Sequence, residues 1–139
     1  MAVLITCDGV FLDDRTGYSV IFDDDGRIAY AYLLDSNGSI VSDVWLYNRC
    51  NTIDEPEWKA QGNMPFSNPK AYVNSAAHDV FQLIDNISDV KVNWGGRAGN
   101  VIADIFVRQC LFAKLVEGVK PGYSLLAGKD GPLAKVLEL

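Results

Sequence analysis

The chain contains a single histidine, His78, and only three cysteines, Cys7, Cys50 and Cys110, among 139 residues. A zinc site built on histidines would need carboxylates or thiols from distant parts of the chain, and no ligand spacing of that kind is present. None of the cysteines sits in a CxxC pair. Their odd number and wide scatter predict reduced thiols in a cytosolic protein, not a disulfide framework. A catalytic Cys–His pair would require one of the three to meet His78 in the fold. No apolar run approaches the roughly 20 residues that span a bilayer. The N-terminal Met1–Asp8 stretch has no basic segment and reaches an aspartate too early for a secretory leader. These readings predict a cytoplasmic protein without a membrane span.

Catalytic signatures are also missing. There is no GxSxG and no HExxH. The run Asp23-Asp24-Asp25-Gly26 fails as a calcium loop, because placing Gly26 sixth puts Ile21 first and Tyr32 twelfth. Gly95-Gly96-Arg97-Ala98-Gly99-Asn100 lacks the GxGxxG frame and the lysine of a phosphate loop. It is read as a turn. No catalytic residue, metal ligand or cofactor is therefore predicted.

What is present is β-pattern and negative charge. Side chains alternate along a strand with a period of two. Three alternating runs, Tyr18–Asp23, Arg27–Asp35 and Ile40–Asn48, are joined by Asp25-Gly26 and Asn37-Gly38, dipeptides suited to hairpin turns. Val3–Thr6 and Val10–Leu12 are short candidate strands separated at Asp8-Gly9. Irregular chain follows from Arg49 to Asn68, a length often associated with functional loops. Asn68-Pro69 is a helix start, and the three- and four-residue spacing of apolar residues to Ile84 predicts a helix over Pro69–Asp85. Val90–Trp94 and Val101–Val107 form a second predicted hairpin. Residues 108–118 fit a strand or a helix face, with the strand favoured, and Tyr123–Ala127 is a last short strand. Asp130-Gly131-Pro132 marks a short helical segment to Leu137. The expected fold is a single α+β domain over residues 1–139. It has an antiparallel meander sheet of five or more strands and one main helix packed on it.

The net charge of −6 lies wholly in residues 1–70, where eleven acids face five bases; residues 71–139 balance at seven each. Six aspartates fall between Asp8 and Asp25. Such a surface disfavours nucleic acid and anionic membranes and steers basic protein partners; solubility alone is the other reading. The meander also carries aromatics on both faces. Aromatic anchors dominate binding energy while charges set the encounter rate. The candidate partner-binding residues are therefore Asp13, Asp14, Asp23, Asp24, Asp25, Tyr30, Tyr32, Asp43, Trp45, Tyr47 and Trp58. The competing reading covers both faces of the sheet, with the long loop over the second.

Val44-Trp-Leu-Tyr-Asn48, Met64-Pro-Phe-Ser-Asn-Pro69, Lys120-Pro-Gly-Tyr-Ser124 and Lys129-Asp-Gly-Pro-Leu-Ala-Lys135 resemble blocks in small bacterial immunity proteins of polymorphic toxins, contact-dependent or type VI secreted. The blocks cover less than a quarter of the chain, and no functional residue is carried over. The resemblance implies a non-enzymatic protein that occludes the active site of a cognate toxin with a basic surface, for example a nuclease. The alternative from another class is a small ligand-binding or enzymatic domain using residues 49–68 as a lid.

Overall fold

The computed structural model describes residues 7–48, 72–74, 83, 84 and 86–137. Strands β1 (Cys7–Leu12), β2 (Ser19–Asp24), β3 (Ile28–Leu34) and β4 (Ile40–Asn48) form a four-stranded antiparallel meander in chain order. Strands β5 (Val90–Gly95), β6 (Ile102–Val107), β7 (Cys110–Val116), β8 (Tyr123–Ser124) and β9 (Lys135–Val136) form a second sheet, also in order. Its last pair, β8 with β9, is parallel.

This corrects the α+β expectation of one large sheet under one main helix. There are two sheets, and the described residues contain no α-helix, only 3-10 turns such as Ile87–Asp89. Most of the predicted Pro69–Asp85 helix lies outside the described residues. Where that span is described near its start, Tyr72 lies in a 3-10 turn and Val73 in a β-bridge. Val73 bridges Ala127, Asn74 N–H donates to the Leu126 carbonyl, and Gly128 N–H donates to the Tyr72 carbonyl. Backbone pairing with a distant segment has overridden the local helical period there. The predicted helical segment ending at Leu137 likewise contains β9 instead, where Lys135 N–H donates to the Gly122 carbonyl; just beyond it Leu137 N–H donates to Ser124. At the front of the chain Asp8-Gly9 does not separate two strands, since β1 runs straight through it; Val3–Thr6 lies outside the described residues.

The inner faces of the two sheets share one core. Val20, Phe22, Ala31, Leu33 and Val44 come from the first sheet, and Ala103, Ile105, Phe112, Ala113 and Leu115 from the second. Tyr47 and Phe112 meet edge to face across it, with ring centroids 6.4 Å apart. Gly9 lies on this face against Ile87, whose side chain would have to shift to admit a Cβ, 2.6 Å from it.

Polar ties fix the sheets to each other. Tyr18 hydroxyl donates to Glu117 at 2.8 Å, and the same carboxylate accepts from Val101 N–H. The second sheet's loops also close the outer edge of β4. Gly118 N–H donates to Val41, Gly122 N–H donates to Asp43, and Trp45 N–H donates to Leu133. Glycine is required at 122, where a Cβ would lie 2.5 Å from the Lys114 carbonyl oxygen.

Candidate functional site

Cross-strand register places residues of the first sheet in three rows on its outer face. Leu12, Ser19, Leu34 and Ile40 pair in succession across β1 to β4. The next row is Val10, Ile21, Tyr32 and Asp43, and the third is Asp8, Asp23, Tyr30 and Trp45. An apolar row thus grades into an acidic and aromatic one. Among the described residues the large hydrophobics that stay exposed are Val10 (70%), Leu12 (62%) and Ile40 (48%). All three belong to this face.

The face owes its composition to two irregularities. The register shift between Ala29 and Tyr30 sets Trp45 opposite Tyr30 but Tyr47 opposite Ala29, leaving Leu46 as the extra residue of a bulge. Simple alternation puts Trp45 and Tyr47 on one side. The bulge instead sends Tyr47 inward, where it is fully buried and its hydroxyl donates to Asp24. A second shift between Leu33 and Leu34 brings Ile40 opposite Leu34.

The predicted partner-binding residues divide accordingly. Asp23, Tyr30, Tyr32, Asp43 and Trp45 come together on the outer face. Tyr30 and Tyr32 stack with centroids 6.2 Å apart, but Tyr30 and Trp45 are buried, leaving half-buried Tyr32 as the accessible aromatic. Asp24 and Tyr47 are core residues. Asp24 has no exposed surface and accepts from Gly26 N–H as well as from Tyr47, so the turn after β2 consumes it. Asp13 is also buried, held by Thr16 hydroxyl at 2.8 Å and by Arg15 at 3.2 Å in the β1–β2 turn. Burial pushes its carboxyl up, but the hydrogen bonds from Thr16 and Arg15 and the Arg15 charge outweigh this and hold it below the ordinary range. Asp14 and Asp25 are exposed in turns away from the rows, and Asp25 accepts from Arg27 and Ile28 N–H. Trp58 lies outside the described residues. Sequence reading placed Asp8 only within the acidic run, not among the binding residues, and did not single out Val10, Leu12, Ile21, Leu34 or Ile40. Alternation in β1 could have found Val10 and Leu12 had Asp8-Gly9 not been taken for a break.

The electrostatics of the face are one-sided. Asp8 and Asp23 stand directly opposite each other, an arrangement that costs free energy when both are charged. Burial first, then the charges of Asp8, Asp25 and Asp24, push the Asp23 carboxyl above its ordinary range. Burial does the same to Asp43, against the opposing charge of Lys120. Tyr32, desolvated and near Asp23, Asp43 and Asp25, has its hydroxyl raised as well. No ion pair neutralises Asp8, Asp23 or Asp43 among the described residues. Over residues 7–48 eight acids face two bases, whereas residues 86–137 carry seven bases and four acids. The two sheets are therefore oppositely charged.

A raised carboxyl pKa means that the folded state binds a proton more tightly than the unfolded chain. The stability this contributes is present at acid pH and is lost as pH climbs through the raised value. Asp23→Asn should therefore raise the melting temperature at neutral pH. That gain should shrink as pH falls toward the ordinary aspartate value of about 4. Thermal melts of both proteins across that range check it; an Asn variant less stable at neutral pH would mean that Asp23 has a favourable partner.

No group of three or more potential metal ligands occurs among the described residues. No helix among them is long and apolar enough to cross a membrane. No family model matches the chain, and neither the curated proteins nor the solved structures gave a match.

Proposed function

We propose that this chain is a non-enzymatic protein-binding module whose binding surface is the outer face of the first sheet. One observation carries the reading: among the described residues the exposed large hydrophobics gather on that face, beside three carboxylates that form no ion pair there. Exposed apolar patches rimmed by charge mark interaction sites. The acids select a basic partner by steering and by opposing acidic ones. Taken with the resemblance of its sequence blocks, the module is an immunity protein acting in the cytoplasm. It occludes the active site of a cognate toxin with a basic cleft, of which a nuclease is the leading example. Val10, Leu12 and Tyr32 supply the apolar contact, and Asp8, Asp23 and Asp43 meet the toxin's cationic side chains.

The test is binding kinetics against the product of the adjoining gene at two salt concentrations. The variant is Asp8→Asn/Asp23→Asn/Asp43→Asn, which removes charge without touching the core carboxylates Asp13 and Asp24. Charge steering over distances beyond roughly 8–10 Å is screened at physiological ionic strength. The triple variant should slow association roughly tenfold or more at low salt and flatten the salt dependence. Unchanged association and dissociation rates at both salt concentrations would remove this face from the interaction.

A further inference from the structure

We infer that the open edge of β1 is a docking site for an extended, cationic segment of the partner, which adds to the first sheet as a further strand. The inference rests on the protein-binding reading and specifies what part of the partner is held.

Hydrogen bonds alternate along an antiparallel pair, so neighbouring residues turn their backbone groups to opposite sides. Asp13 N–H donates across the pair to the Tyr18 carbonyl. Phe11 and Gly9, in step with Asp13, therefore face β2, and the backbone groups of Leu12, Val10 and Asp8 face away from it. Among the described residues these outward groups have no hydrogen-bond partner. The opposite edge of the sheet is in a different condition, since Gly118, Gly122 and Leu133 close β4. The second sheet's first strand, β5, carries exposed Lys91 and Asn93, the solvated kind of edge that resists pairing. Strand β1 instead flanks its free donors and acceptors with Val10 and Leu12, both well exposed. Its one charged side chain, Asp8, lies near the strand end. An edge with unpaired backbone and apolar side chains is a template for strand addition.

Charge decides between a second copy and a different chain. An antiparallel pair of two β1 strands centred on Val10 would set each Asp8 against the other copy's Leu12. Centred on Phe11 it would set Asp8 against Asp14. Both registers place a carboxylate beside an apolar group or another carboxylate. A segment with one lysine or arginine and two apolar residues at alternate positions fits without conflict: the cation lies beside Asp8 and Asp23, and the apolar pair covers Val10 and Leu12.

The probes are capped seven-residue peptides in which one lysine and two valines alternate with threonines, made in both sequence orders. Matching peptides carry glutamate in place of lysine. Amide hydrogen exchange is read on the full chain. At saturating lysine peptide the Val10 and Leu12 amides should exchange roughly tenfold more slowly or better, and the glutamate peptides should leave them unchanged. Val10→Pro removes an outward N–H while leaving the ladder to β2 intact, a kind of edge position that tolerates proline. It should abolish peptide binding, and Val10→Thr should retain it. If Val10→Pro fails to fold, the exchange result on the parent protein still decides. Peptide binding without protection of these two amides overturns the inference, as does no binding at millimolar peptide. Protection that appears with protein concentration alone overturns it in favour of a second copy. Against the adjoining gene's product, loss of affinity in the Asp8/Asp23/Asp43 variant but not in Val10→Pro would sink the edge and keep the face; no effect of either would sink both.

Discussion

Phe22→Ala should lower folding stability by about 3–5 kcal/mol, the range for emptying an aromatic core position. Phe22 is fully buried in the middle of β2, and its cross-strand neighbours are Gly9 on one side and Ala31 on the other. Neither has a side chain that can lean into the vacated space, so the cavity persists, and its cost adds to that of lost burial. Phe22→Leu keeps most of the volume and should lose far less, about 1 kcal/mol. Denaturant midpoints of the two variants check the difference. Equal losses would mean that the site collapses freely and that the small neighbours do not define the cavity.

The second large effect concerns a carboxylate that composition alone assigns to the surface. Asp24→Ala should cost about 2–4 kcal/mol, because it removes the acceptor of the buried Tyr47 hydroxyl and of the partly buried Gly26 N–H. Tyr47→Phe should cost about 1.5–3 kcal/mol through the lost bond to a charged group. The double variant should cost less than the two losses added together, since the residues share one interaction. Asp25→Ala, one position along but exposed, should cost much less despite its bonds to the turn amides. Chemical denaturation of the four proteins measures this. Equal sensitivity at positions 24 and 25 would show that burial does not separate them.

The meander was legible because its strands alternate and its turns use Asp25-Gly26 and Asn37-Gly38. Both glycines take positive φ, 91° and 83°. The β6–β7 hairpin hid from the same rule. Its two-residue turn is Arg108-Gln109, with φ of 49° and 72°, in side chains that rarely adopt such angles. The turn is held from outside: Arg108 N–H donates to the Asp89 carbonyl, and its guanidinium reaches Leu83 O and the Asp89 carboxylate. Local sequence carries no trace of that support, which is why residues 108–118 read as strand or helix. The acidic, aromatic character of the candidate face was visible in composition. Its membership was not, because a single bulge at Leu46 decides whether Tyr47 faces solvent or core, and bulges leave no period. The division into two sheets was equally hidden, since it depends on how segments distant in the chain meet, as Tyr18 and Glu117 do across 99 residues.

The closure of β4 has a consequence for how the protein is made. Its last backbone partners, Gly118, Gly122 and Leu133, are more than 70 residues downstream, and Tyr18 waits for Glu117 across 99. The first sheet's hairpins are local and can form early, on a timescale of microseconds. Until the final third of the chain has left the ribosome, however, that sheet is open at both edges and its apolar inner face is bare. Contacts this remote in sequence slow the concluding step of folding. Newly synthesised chains would therefore pass through a stage in which β4 is as ready to capture a stray strand as β1, and only completion of the second sheet leaves the molecule with one receptive edge on its first.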